Sequence, residues 1–84
     1  MHESALIADL VAAVDAACGD ARPVRLRVRL GELSHLTPPH FEEHLGDTSL
    51  AGVAVEYGPP LPAADPRSQT LLLESVTVAG TPRP

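Results

Sequence analysis

The sequence predicts a small α+β domain of two layers, two helices packed on a three-stranded sheet in the order α-β-α-β-β. Three observations predict it. Residues 24–30, Val-Arg-Leu-Arg-Val-Arg-Leu, alternate without interruption, as a strand with one buried face does. Residues 4–18 carry Leu6, Ile7, Leu10, Val11, Val14 and Cys18 at spacings of three and four, a helical stripe able to cover that face. Two further alternating runs, 53–57 and 70–79, lie downstream. The 84 residues suffice for one core, so residues 1–80 read as a single domain and 81–84 as a tail. A chain this short buries only about 60–65% of its unfolded surface, which leaves room for a partner subunit.

The first helix is favoured by six alanines and by Glu3 and Ser4 near its start; Gly19 stops it, and 20–23 turn the chain. In strand 24–30, the valines and leucines face inward. Arg25, Arg27 and Arg29 face outward, their stems on the sheet and their heads in water. Gly31 then leaves the strand, and Leu33 and Leu36 are expected to anchor the following segment to the core. Thr37 reads as an N-cap and Pro38 as a first-turn proline, predicting a second helix over Pro38–Leu45 with Phe41 and Leu45 inward. Residues 53–57 place Val53, Val55 and Tyr57 on one side of a second strand. Residues 58–67 hold four prolines, which exclude an interior helix or strand and predict an extended connection. In the third strand, 70–79, the apolar parity changes between Leu73 and Val76, so a bulge is expected near Glu74-Ser75. The pattern leaves the strand order open.

Composition excludes several classes of function. The formal charge is -5, there is no lysine, and no aromatic residue interleaves with the arginines, a poor footprint for nucleic acid. Cys18 is the only cysteine, which excludes an internal disulfide and a multi-cysteine zinc site; among apolar neighbours it reads as a small core residue. The start has no basic segment followed by an apolar run, and nothing is long enough to span a membrane, so the chain reads as cytoplasmic.

Two places could hold a metal. The Met1 amine, the backbone amide of residue 2 and the His2 imidazole can form fused chelate rings around Ni(II) or Cu(II), with the Glu3 amide or another donor completing a square plane. Such ligands must lose protons, so binding weakens in acid. The second place is His40-Phe41-Glu42-Glu43-His44, with histidines at i and i+4 on one helical face. It matches the His-x-x-Glu-His motif of some zinc proteases, but a catalytic zinc needs a third ligand and a cleft, and the chain has little room for either. The pair reads as a solvated polar face, or as a secondary metal site to which His35 could add a ligand. No phosphate-binding glycine loop or oriented nucleophile is present, so the chain does not read as an enzyme.

Met1-His2-Glu3-Ser4 before an Ala/Leu/Val helix, then Val28-Arg29-Leu30-Gly31-Glu32-Leu33-Ser34, then Pro38-x-x-Phe41, resemble the nickel-binding domain of the HypA family. These are metallochaperones for [NiFe]-hydrogenase maturation. The resemblance covers about residues 1–57 and resumes at 72–78. It implies Ni(II) held by His2 with the Met1 amine and nearby backbone nitrogens, with Glu3 shaping the site and Glu32 near the metal-bearing end. It further implies a HypB-type GTPase as partner and the hydrogenase large subunit as recipient. The departure from the family is an absence: its zinc domain, with two Cys-x-x-Cys pairs, is replaced here by the proline-rich linker 58–69, which has no cysteine. No structural zinc is therefore expected. Loss of that lobe is expected to leave edge strands and the apolar end near Leu61 open, and with Arg25, Arg27 and Arg29 on one face it predicts a homo-oligomer. Two other readings stay open: an interaction or scaffold module that keeps the fold without delivering metal, and a small metal-dependent hydrolase built on His40 and His44.

Overall fold

The computed structural model describes residues 2–79, with side chains from Ser4 onward. The elements are α1 (His2–Cys18), β1 (Arg22–Leu30), α2 (Pro38–Leu45), β2 (Ala54–Tyr57) and β3 (Leu71–Ala79). They form the expected α+β domain, two helices packed against a three-stranded sheet, and the tail 81–84 lies outside the described residues.

The strand order is β2-β1-β3. β1 pairs parallel with β2 and antiparallel with β3. A parallel pair needs a crossover, and α2 supplies it between β1 and β2. Leu26 and Val28 on β1 are fully buried, and Leu30 nearly so. They meet Ile7, Leu10 and Val14 of α1, with Leu6, Val11 and Cys18 packed at the margin of the same core. Phe41 and Leu45 bring α2 onto this core, and Phe41 meets Tyr57 of β2 edge-on at a centroid distance of 6.2 Å. The Thr37 hydroxyl accepts from the His40 amide, the N-cap that the sequence predicts.

The bulge in β3 is present: Arg27 pairs with Ser75 and Val28 with Leu73, so Glu74 is the extra residue. It carries Leu71, Leu73 and Val76 onto the core. A second irregularity lies on β1, between Pro23 and Arg25, and corrects one expectation. Val24 drops out of the alternation and is 40% exposed. Leu33 is a second correction. Ser34 N–H donates to Gly31 O at 3.0 Å, closing a turn that points Leu33 into solvent, and of the two leucines only Leu36 is buried.

The proline-rich linker corrects a third. It closes the end of the sheet instead of merely bridging strands. Leu61 N–H donates to Leu30 O at 3.0 Å and Glu32 N–H to Leu61 O at 2.8 Å, continuing the β1 ladder through a bridge between Gly31 and Leu61. Leu61 is fully buried, so the end expected to be open is covered from within the chain. The linker then turns: Ser68 N–H donates to Asp65 O, and Thr70 N–H to Arg67 O. Gly31 is required where the strands converge, because a Cβ there would lie 2.1 Å from the backbone oxygen of Ser68.

Candidate functional site

The start of α1 and the turn after β1 share one end of the molecule. Leu6 of α1 and Thr70 line the same hollow, and Thr70 O accepts from Gly31 N–H at 2.9 Å. α1 begins at His2, so the amides of its first turn have no partner within the helix. The expected ligands Met1, His2 and Glu3 themselves lie outside the residues whose side chains are described.

Glu32 lies in the turn that follows β1. Its Oε1 accepts from the Ala63 amide at 3.0 Å, so the carboxylate pins the linker to the sheet. Beside it lies an open groove of about 470 Å³ lined by Glu32, His35, Thr37, Pro38, Tyr57 and Gly58, among others. His35 is exposed on the rim of this groove and holds φ +64, a conformation unusual for a residue with a Cβ. Across the groove, the Tyr57 hydroxyl donates to Glu42 Oε2 at 2.7 Å. Burial, then the Glu42 hydrogen bond and charge, push the Tyr57 pKa well above that of a free tyrosine. The sequence carries no signal for the Tyr57–Glu42 pair, whose members are 15 residues apart on separate elements.

His40 and His44 meet on α2. Their Nε2 atoms are 3.2 Å apart and their ring centroids 4.7 Å apart, with the ring planes at 43°. Both are half-buried, and Glu42 and Glu43 between them are exposed. Among the described residues, no group of three or more His, Cys, Asp or Glu side chains gathers, so His35 does not join the pair. The three outward arginines all find partners in the same chain. Arg25 contacts Glu56 at 2.6 Å, Arg27 contacts Glu74 at 3.0 Å, and Arg29 Nε donates to Pro59 O at 2.7 Å. Among the described residues, no helix is long and apolar enough to cross a membrane. No family model, curated protein or solved structure matches this chain.

Proposed function

We propose that the chain is a nickel metallochaperone or accessory protein for [NiFe]-hydrogenase maturation, a binding protein rather than an enzyme, with Ni(II) held as cargo at its N-terminus. One observation carries the reading. The helix α1 begins at His2, within the Met-His-Glu-Ser start, and its N-terminal end lies at the same end as the Gly-Glu-Leu-Ser turn, two of the motifs on which the HypA resemblance rests. Free amides at the start of a helix suit a chelate built from an α-amine, backbone nitrogens and one imidazole. A HypB-type GTPase and the hydrogenase large subunit are the partners this reading requires.

The docked linker favours a second reading. Leu61 and the Glu32–Ala63 hydrogen bond complete the sheet end without a zinc lobe, as in an interaction module that keeps the fold and no longer delivers metal. Nickel calorimetry on tag-free protein starting at Met1, beside His2→Ala and a form extended by a few residues before Met1, separates the two. The expected result is a micromolar or tighter nickel site in the parent that both altered forms lose, whatever nickel binds elsewhere on the chain. Absence of any site that depends on His2 and on the free N-terminus leaves the interaction module.

A further inference from the structure

We propose that His40 and His44 form a second metal site, a two-nitrogen chelate on α2 for a borderline divalent cation, separate from the N-terminus. The spacing i, i+4 puts both imidazoles on one face of the helix. Spacing alone describes many surface histidine pairs; here the rings also converge through the same atom, Nε2 to Nε2, at 3.2 Å. Imidazole nitrogen binds zinc at about 2.0–2.1 Å, and copper and nickel at similar lengths. An ion at that distance from both atoms subtends about 100° between them, which falls between the square-planar and tetrahedral angles. The pair is therefore spaced as two adjacent ligands of one ion, and small ring rotations aim both lone pairs at it.

Each ring is half-buried and held against the other, and ring freedom already restricted by that contact is not lost again on binding. The chemistry of the donors selects the ion. Two neutral imidazoles favour Cu(II), Ni(II) and Zn(II) over Mg(II) or Ca(II), which prefer oxygen. In the metal-free pair, one Nε2 carries a proton and donates it to the other. On binding, that ring shifts its proton to Nδ1, and both Nε2 lone pairs face the ion. With no third His, Cys, Asp or Glu beside the pair among the described residues, the remaining positions belong to water, and the ion is exchangeable.

The test uses the full chain extended before Met1 by a few residues free of His and Cys, so that the N-terminal chelate is blocked. Zn(II), Ni(II) and Cu(II) are titrated by calorimetry against this form and against its His40→Ala, His44→Ala and His35→Ala variants. One ion per chain is expected, with affinity rising from zinc to nickel to copper. Either α2 variant should weaken binding at least tenfold, and His35→Ala should leave it unchanged. Circular dichroism checks that each variant folds. Should an α2 variant unfold, ring-nitrogen NMR of the unsubstituted extended chain decides, since zinc should move the Nε2 signals of His40 and His44 and no others. Binding that is indifferent to both α2 substitutions, zinc shifts elsewhere, or no binding at millimolar metal overturns the proposal. His2→Ala in the chain with a free N-terminus leaves this site intact, so the two metal proposals fail separately.

Discussion

Tyr57 shows how a single side chain couples the second helix to the sheet. Its hydroxyl oxygen lies 2.7 Å from Glu42 Oε2 and 3.3 Å from Pro38 O, so the carboxylate is the main acceptor of its one proton. Tyr57→Phe should cost about 1 kcal/mol near neutral pH. The sign of the pH effect follows from the raised pKa. The folded chain holds the tyrosine proton more tightly than the unfolded chain, whose tyrosine titrates near pH 10. The stability from this proton is complete below that pH and drains away as pH rises through the folded value. Urea midpoints at pH 8 and pH 11 should fall more in the parent than in Tyr57→Phe; parallel falls would remove the assignment. At the same scale, the histidine spacing in α2 is legible in the sequence, whereas the 3.2 Å contact between the rings depends on rotamers.

At the scale of elements, the proline-rich linker 58–69 is a structural part. Proline excludes it from regular structure, and the sequence supports nothing more than an extended connection. The covering role of Leu61 arises because its backbone extends the β1 ladder by one bridge, which turns the side chain inward. Leu61→Ala should therefore destabilise the fold by about 2–4 kcal/mol, as for a fully buried leucine whose cavity cannot close. A loss under about 1 kcal/mol in chemical denaturation would mean that the linker is not docked in solution. Strand irregularities teach the same lesson. The bulge at Glu74 is visible as a change of apolar parity along one strand. The slip at Val24 is not, because its own alternation is regular and only the pairing with β3 breaks it.

For the whole molecule, the charge argument for self-association changes. Arg25 and Arg27 contact Glu56 and Glu74 in the same chain, so little unmatched charge remains to hold a second copy. Of the two edge strands, β2 and β3, the longer is β3, a nine-residue strand with Val24 and Val78 exposed near its far end. Association, if driven by that edge, is insensitive to salt. Light scattering should give a mass above 8.8 kDa at high concentration, unchanged by added salt. A mass of 8.8 kDa throughout would remove the prediction, and an oligomer that salt dissolves would restore the charge argument.

The sequence by itself determined the elements and their faces. Periodicity is local, and it suffices to define the α1 stripe, the inward residues Leu26, Val28 and Leu30, and the capped second helix. It also determined which residues could bind metal, since ligand chemistry belongs to residue types. The tertiary structure decided what depends on distant partners. It placed β1 between its neighbours, turned Leu33 outward and Leu61 inward, tied the Glu32 carboxylate to the linker, and matched the arginines with glutamates. These contacts join residues far apart in the chain, and no local pattern encodes which of several apolar or charged partners a strand will meet once the core has formed.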